Sequence, residues 1–409
     1  MDSLEINNTI SFYIHIPFCQ IKCPYCDFNT YENIENFIPN YMKAINIEIN
    51  NWKKILLPYT INSIYFGGGT PSYISSSYIK ETINLLKSKF SINKNSEITL
   101  EANPVDLNLN KLSSYLDIGV NRLSIGIQSF SNSLLKKLGR NHDQKSAIKS
   151  IENTFKAGFK NFNVDLMYGI PDQSINQWRS SLIKIKTYEI NHLSTYNLTF
   201  EQGTPFYNWK KQGKLIAPKD KKVEDMYLLQ KELLSEMGYI HYEISNWSKP
   251  KMQSNHNLRY WSGNNYIGVG AGAHSYFNNR RFSNIKSPKK YIEKMISRNI
   301  SQSNNFFKEM SNIGIIHEQE ILSSKDILFD RIMLNLRLIK GIKHKDINKE
   351  FNINFSRKFK YLLSELVDLE LIEENSKITK LTDKGILLSN EIILKFFQEI
   401  SKPLPLKIM

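Results

Sequence analysis

Six short apolar runs, each followed by an amphipathic stretch of helical length, constrain the fold of this 409-residue chain more than any other feature. Strands that alternate with helices over such a length predict βαβ units and a parallel sheet. Because no seventh or eighth run is evident, the pattern predicts a partial (β/α)6 barrel of the TIM type, open on one side. The expected strands cover residues 11–18, 61–67, 97–101, 122–128, 161–167 and 192–200.

Two further parts follow the predicted barrel of residues 1–240. Residues 241–305 are rich in glycine and aromatic residues, which predicts an extension of hairpins and loops. Residues 306–409 turn helical and end in an order of elements typical of a winged-helix-like α+β module. Its helices are expected at 342–351, 356–369 and 386–400, and its two-stranded wing at 371–385.

The net charge of +15 is spread along a chain that is rich in lysine, asparagine and isoleucine throughout. Because the lysines are spread along the chain and not clustered, the positive charge is better explained by a general drift in amino-acid composition than by a surface that binds nucleic acid. The short wing and the lack of an arginine-rich recognition face also argue against nucleic acid as a partner. No apolar run is long enough to span a bilayer, and the first residues do not resemble a signal peptide, so a cytoplasmic location is expected.

All three cysteines lie within eight residues, as Cys19, Cys23 and Cys26, in the spacing C-x3-C-x2-C. Three thiolates on a 4Fe–4S cluster leave one iron free to bind another molecule, whereas electron-transfer clusters use four cysteines. A zinc site would need a fourth ligand from elsewhere, such as a histidine, and stays an alternative. The odd count argues against a disulfide framework.

Other motifs stand at the ends of the predicted strands, as the cysteines do after the first strand. The segment GGGTP ends the second strand, Glu101 ends the third and Gln128 ends the fourth, while Asp165 lies late in the fifth. Because parallel strands bring their carboxyl ends to one rim, we expect these residues to lie close together.

Seven segments carry a resemblance to a known family: YIHIPFCQIKCPYCDF, GGGTPS, LEANP, RLSIGIQSF, LGRNH, DLMYGIPDQ and HNLRYW. Together they resemble the heme-chaperone branch of the radical S-adenosylmethionine (SAM) family. The closest relatives of that branch are the oxygen-independent coproporphyrinogen III dehydrogenases. The resemblance covers nearly the whole chain, including the C-terminal module. It implies a 4Fe–4S cluster on the three cysteines, SAM on the open iron, an electron donor, and heme that is passed to an acceptor protein.

The resemblance also implies which residues hold SAM. Glycines without side chains would let the backbone approach the amino group of SAM. Glu101 would offer an anion to the ammonium or ribose hydroxyls, and Arg140 a guanidinium to a carboxylate. Read alone, these residues equally fit packing, turn and surface roles. The matching positions are Tyr13, Tyr25, Gly68, Gly69, Thr70, Glu101, Gln128, Arg140 and Asp165.

Two features favour the chaperone over the dehydrogenase. The dehydrogenases carry a further cysteine two positions after the last cluster ligand, and this chain has Phe28 there. The segment HNLRYW matches the HNxxYW motif of the chaperones, so His256 is the expected heme ligand and Tyr260 and Trp261 could stack on a porphyrin. Read alone, His256 is a structural loop histidine. His274, in GAGAHS, is a second candidate ligand.

Three other functions stay open at this point. The first is the oxidative decarboxylation of coproporphyrinogen III by a radical SAM enzyme. The second is nucleic-acid binding through the basic charge and the winged helix. The third is a radical methyltransferase.

Overall fold

Six parallel strands in chain order form the centre of the fold. The computed structural model describes residues 8–296 and 306–402. In it, each of these strands pairs with the next, which confirms the predicted α/β architecture. The strands are β1 (Thr9–Ile16), β2 (Thr60–Gly68), β3 (Ser91–Ala102), β4 (Arg122–Gln128), β5 (Phe162–Tyr168) and β6 (His192–Asn197).

Helices between these strands have clear local signals. The helix after β5 begins with a capping box between Ser174 and Gln177. The helix after β4 ends at Gly158, whose φ of 98° suits a glycine C-cap. The helices between the strands are α1 (Ile38–Leu56), α2 (Ser76–Lys89), α3 (Leu109–Ile118), α4 (Asn132–Lys137), α5 (Gln144–Ala157) and α6 (Ile175–Thr187), and those that follow β6 are α7 (Pro205–Lys211) and α8 (Asp220–Glu236).

The two faces of the parallel sheet differ sharply in polarity. Strands buried on both faces usually read as continuous apolar runs. In β1, however, Ile10, Phe12 and Ile14 are fully buried in the main core, and the residues between them are Ser11 and Tyr13. We call the face that bears Ser11, Tyr13 and their register partners on the neighbouring strands the polar face. Because the apolar side chains of the opposite face form the hydrophobic core, the polar side chains of this face can form a functional site.

The segment of residues 240–321, which contains the extension and the first part of the C-terminal region, joins the same sheet at both edges, giving twelve strands. A hairpin continues from β6, while one strand lies parallel to β1 and leads into three antiparallel strands. Its strands are β7 (Ile240–Glu243), β8 (Asn246–Ser248), β9 (Tyr266–Val269), β10 (His274–Phe277), β11 (Arg280–Asn284) and β12 (Ile316–Ile321). Its helices are α9 (Asn255–Trp261), α10 (Pro288–Ile296) and α11 (Phe306–Asn312).

The segment HNLRYW forms helix α9, so the expectation of a loop at His256 is wrong. Ser254 caps this helix by accepting a hydrogen bond from the Asn257 amide. The Glu97 carboxylate of β3 accepts two more, from the amides of Asn255 and His256, each at 3.0 Å. A negative charge at a helix N-terminus stabilises the helix. The partner is 158 residues away in the chain, beyond the reach of local sequence patterns.

The C-terminal module has the order of a winged helix, with local differences from the expected elements. The helix expected at 356–369 is interrupted at Phe359, and the one expected at 342–351 begins with a short strand. The wing strands β14 and β15 pair as expected, and β13 adds a third strand. The elements are α12 (Ser324–Leu336), β13 (Ile342–Lys343), α13 (His344–Phe351), α14 (Phe355–Lys358), α15 (Lys360–Asp368), β14 (Ile372–Glu374), β15 (Ile378–Leu381), α16 (Asp383–Leu387) and α17 (Ser389–Ser401).

No helix within residues 8–296 and 306–402 is both long enough and apolar enough to cross a membrane.

A buried carboxylate fastens the extension to helix α1. Glu48 is 1% exposed. It accepts hydrogen bonds from the Gly270 amide at 3.0 Å, the Asn284 amide nitrogen at 2.8 Å and the Tyr291 hydroxyl at 2.5 Å. Burial raises the pKa of Glu48 to about 7, against the effect of these donors. Glu48 therefore joins helix α1 to segments that lie more than 200 residues later in the chain.

Replacing Glu48 should destabilise the protein strongly. Glu48→Ala leaves three buried donors unpaired, which predicts a loss of about 3 kcal/mol or more of unfolding free energy. Urea unfolding followed by circular dichroism measures it, with Glu48→Gln expected between the alanine variant and the wild type. Lys43→Ala, at an exposed position of the same helix, serves as control. Equal midpoints for Glu48→Ala and Lys43→Ala would contradict this role.

Candidate functional site

The loop after β1 places the three cysteines at the carboxyl end of the parallel sheet. The Cys19 amide donates to the Tyr31 carbonyl at 2.9 Å, and the Cys26 amide donates to the Cys23 carbonyl at 3.0 Å in a tight turn. Cys19 and Cys23 are buried, whereas Cys26 is partly exposed, and all three are free thiols. The loop thus holds three sulfur atoms in a fixed backbone frame.

The sulfur atoms receive hydrogen bonds that suit thiolate ligands. The Thr70 hydroxyl lies 3.4 Å from Cys19 Sγ, and Arg140 Nη1 lies 3.6 Å from Cys23 Sγ. Burial raises the pKa of the Cys19 thiol to about 11 and also raises that of Cys26. Thiolates in such surroundings need a cationic partner, and iron supplies one. The residues present therefore fit a cluster.

No three histidine, cysteine or acidic side chains converge on a single-ion site anywhere in the part of the chain that the structure describes. The ligands of one zinc ion sit within about 2.3 Å of it, so their donor atoms crowd together. Cysteines of a cluster bind different irons and stand farther apart. The three cysteines are therefore not arranged as the ligands of one zinc ion in the described residues.

The glycine-rich turn after β2 is pinned to the cysteine loop by its backbone. The Gly69 amide donates to the Ile16 carbonyl and the Thr70 amide to the Phe18 carbonyl, both at 2.8 Å. A Cβ on Gly69 would lie 2.8 Å from each of the Ile16 and Phe18 carbonyl oxygens. A Cβ on Gly68, whose φ is 114°, would likewise clash with the His15 ring. The chain's own packing thus requires these glycines, apart from any room they leave for SAM.

Glu101 is held at the end of β3 by two donors. The Tyr65 hydroxyl donates to Oε1 at 2.8 Å, and the Gly68 amide donates to Oε2 at 3.0 Å. Burial raises the pKa of Glu101 to about 7, the Tyr65 hydrogen bond lowers it, and Asp165 raises it further. Each oxygen keeps a lone pair for another donor. Glu101 can therefore accept a hydrogen bond from a ligand hydroxyl or amine when it is ionised.

Strands β4 and β5 add the next predicted site residues. Asp165 accepts hydrogen bonds from Asn163 at 2.6 Å and Ser124 at 3.3 Å, and burial raises its pKa. Gln128 has a φ of 65°, which an L-residue rarely adopts and which is common at functional sites. Arg140 Nη2 donates to the Gly126 carbonyl at 2.7 Å. The guanidinium therefore connects the cysteine loop with strand β4.

Tyr13 takes part in a short chain of hydrogen bonds beneath the cysteine loop. His15 Nε2 lies 2.9 Å from the Asn29 carbonyl, so this nitrogen donates and Nδ1 accepts from the Tyr13 hydroxyl at 3.1 Å. Burial lowers the pKa of His15 to about 4, which keeps the ring neutral. Tyr25 packs edge-on against Phe206, with ring centroids 6.1 Å apart. Both tyrosines thus line the cysteine loop.

His256 lies in a different environment from the one expected of a heme ligand. It is 1% exposed, and its two ring nitrogens are each 2.8 Å from a hydroxyl, of Ser63 and of Tyr260. Its ring stacks on Tyr65 at 4.9 Å, and Tyr65 in turn donates to Glu101. A role as axial ligand stays a prediction, which this geometry does not favour. His256 instead supports the tyrosine that orients Glu101.

Three residues of the site were missed by sequence reasoning. Tyr65 and His15 hold Glu101 and Tyr13 through the contacts above, and Arg122 lies on β4 at only 2% exposure. Within the described residues, the Arg122 side chain makes no hydrogen bond and its Nε is unpartnered. Its charge lowers the pKa of Glu101 and Asp165, after burial and hydrogen bonds. Polar residues at every second position of an otherwise apolar strand were the available signal.

The fold and the site define the class of this protein. A three-cysteine loop follows the first of six parallel strands, a glycine-rich turn follows the second, and carboxylates and an arginine lie beside them. This is the arrangement of a radical SAM protein. The model of the Radical SAM superfamily matches residues 13–185, and that of the HemN C-terminal domain matches residues 322–388.

Relatives of full length then identify the family. The heme chaperone HemW of Bacillus subtilis is 34% identical over 95% of this chain and 100% of its own length. That of Lactococcus lactis is 32% identical over 94% and 97%. The chain belongs to the HemW family, which confirms the resemblance read from its motifs. The structure of coproporphyrinogen III oxidase (HemN) from Escherichia coli matches with a TM-score of 0.79 over 95% of this chain and 90% of its own, and its 22% identity shows the shared fold.

Adding one methyl group to Gly69 should impair cluster binding. The alanine Cβ would clash with two backbone oxygens of the cysteine loop, so the loop must move away from β2. We expect Gly69→Ala to lose most of its iron and sulfide after anaerobic reconstitution while its far-ultraviolet dichroism is kept. Gly203→Ala is the control for backbone strain without a clash, because its φ of 93° disfavours any side chain but its Cβ would meet nothing within 4 Å. Full iron content in Gly69→Ala would show that the close contact is unimportant.

Proposed function

We propose that this protein is a heme chaperone, which binds heme and passes it to an acceptor protein. The observation that carries the proposal is the match, over 95% of the chain, to relatives named heme chaperones. Phe28 supports it, since the decarboxylating dehydrogenases are expected to carry a cysteine there. The proposal places the radical SAM barrel in residues 1–240, the extension in 241–305 and the C-terminal module in 306–409.

In this proposal a 4Fe–4S cluster is held by Cys19, Cys23 and Cys26. When bound, the cluster supplies one-electron chemistry and an open iron for SAM. Thr70 and Arg140 donate hydrogen bonds to the sulfur atoms of Cys19 and Cys23, which stabilises their thiolate forms.

Other residues of the rim would hold SAM. Glu101 and Asp165 would accept hydrogen bonds from its hydroxyl or amino groups, and Gln128 would offer an amide from a strained backbone position. Tyr13 and Tyr25 would cover the cysteine loop and keep water away from it.

The surface around Cys26 would receive an electron donor. Cys26 is the partly exposed cysteine, and two apolar side chains of the same loop, Ile21 and Phe28, are 48% and 63% exposed. Exposed apolar side chains beside a redox centre suit a transient protein contact. Three free thiols also fit a reducing compartment, which supports a cytoplasmic location.

The proposed function is tested on the anaerobically reconstituted protein. We expect it to bind hemin and to transfer it to apomyoglobin, used as a probe acceptor. With reductant, SAM and coproporphyrinogen III, it should form no protoporphyrinogen. Robust decarboxylation would replace the proposal with the dehydrogenase function, and a protein that takes up no hemin would refute it. A Cys19→Ala variant shows whether heme binding depends on the cluster.

SAM affinity should depend on pH through Glu101. Its pKa is raised to about 7 by burial, so the carboxylate is ionised above neutrality and protonated below it. We expect SAM binding, measured by equilibrium dialysis from pH 5.5 to 8.5, to weaken as pH falls through about 7. Loss of one charged hydrogen-bond partner predicts about ten- to hundredfold weaker binding for Glu101→Gln at pH 8.

Two variants give this measurement its controls. Glu101→Gln should have a flatter pH profile than the wild type, since the titrating group is gone. Glu81→Gln, at an exposed position of α2, should keep the wild-type profile. Parallel profiles for the wild type and Glu101→Gln would exclude Glu101 as the titrating group.

A further inference from the structure

The eight histidines of the chain divide into two groups by their surroundings. Six are buried or half-buried, and each has at least one ring nitrogen bonded to this chain. His274 and His317 are exposed, and neither ring makes a hydrogen bond within residues 8–296 and 306–402. A heme iron needs a free imidazole nitrogen that a planar macrocycle can reach. The six are His15, His142, His192, His241, His256 and His344.

The sheet register places His274 on the polar face. Ser11 of β1 pairs with Tyr266 of β9, and Tyr266 pairs with Tyr276 of β10. Directly paired residues share a face, and so do residues two apart on one strand. His274 therefore points to the same side of the sheet as Tyr276, Tyr266 and Ser11. His317 lies on β12, two strands away from β10, at a bulge where Ser283 pairs with Glu318 and Asn284 with Ile316, so no residue of β11 pairs with it.

His274 also lies beside the cysteine loop. The Asn29 side-chain amide donates to the carbonyls of Ala271 and Lys286, both at 2.9 Å. These two residues precede and follow the strand pair that His274 begins. The charge on His274 also contributes to lowering the pKa of His15, after burial and against the hydrogen bond to Asn29. His274 thus stands at the rim that holds Cys19, Gly68 and their neighbours.

The surroundings of His274 suit an anionic, flat ligand. Partial desolvation lowers the pKa of His274, the Glu318 carboxylate raises it and the charge of Lys286 lowers it; the net shift is downward, so the neutral ring offers a lone pair at neutral pH. Lys286 is exposed and forms no ion pair within the described parts of the chain, which leaves a cation for a propionate. Tyr276, half-buried two residues along β10, presents an aromatic side chain on the same face.

We propose that His274 is the axial ligand of the bound heme iron and that Lys286 binds a heme propionate. This inference rests on the proposed function, because it assumes that the protein binds heme. It places the heme at the His274 end of strand β10, beside the cysteine loop. The ring of Tyr266 on the neighbouring strand β9 is covered by Tyr260 of helix α9, with ring centroids 4.5 Å apart. Heme and cluster would then share one rim.

Hemin titration of the reconstituted full-length protein tests this assignment, with optical and resonance Raman spectra as readouts. We expect His274→Ala to lose the histidine-ligated spectrum and to bind hemin at least about tenfold more weakly. Removing even a residue that only hydrogen-bonds a metal ligand typically weakens metal binding about tenfold, so loss of the ligand itself should cost at least as much. Added imidazole should restore the spectrum. Lys286→Ala should weaken binding about two- to fivefold with an unchanged spectrum, as expected of an exposed ion pair.

Matched variants separate the possible outcomes. His317→Ala and Lys289→Ala, both exposed positions, should behave as the wild type. A wild-type spectrum in His274→Ala would overturn the assignment, as would loss of the histidine-ligated spectrum in His256→Ala alone. Iron content and circular dichroism identify any variant that fails to fold. If the wild type itself takes up no hemin, the proposed function fails, whichever histidine is replaced.

Discussion

The site depends on two backbone hydrogen bonds that join the end of β2 to the cysteine loop. The amides of Gly69 and Thr70 donate to the carbonyls of Ile16 and Phe18, both at 2.8 Å. This pairing brings the Thr70 hydroxyl to Cys19 and turns the Gly68 amide toward Glu101. The cysteine loop and the carboxylate of β3 are therefore positioned by one junction, which tolerates no side chain at Gly69.

The polar face concentrates ionisable groups in surroundings that shift their pKa values. Burial raises the pKa of Glu101 to about 7 and raises that of Asp165 above its usual range. Burial also lowers the pKa of His256 to about 3, so its ring stays neutral. Arg122 is the buried cation among them and favours the ionised forms of both carboxyls. Such a cluster costs stability, since each buried charge must be compensated. Its retention beside three cysteines is typical of a functional site.

Local sequence patterns were enough to predict the parallel strands and the cysteine loop, because apolar periodicity and strand-end motifs are contained within a few consecutive residues. They failed where a distant partner decides the structure. Helix α9 depends on Glu97, and the burial of His256 depends on Ser63 and Tyr65, which lie on a strand far away in the chain. The pairing of β9 with β1 is equally remote in sequence. Motif resemblance located His256, but only the structure shows that both of its ring nitrogens are used.

The Asn29 side chain connects the beginning of the chain with a segment about 250 residues later, through Ala271 and Lys286. Strand β1 likewise acquires its second neighbour, β9, only after the six parallel strands have been made. Contacts of such sequence separation are slow to form, because each must close a long loop. During synthesis the cysteine loop therefore leaves the ribosome long before the residues that fasten it.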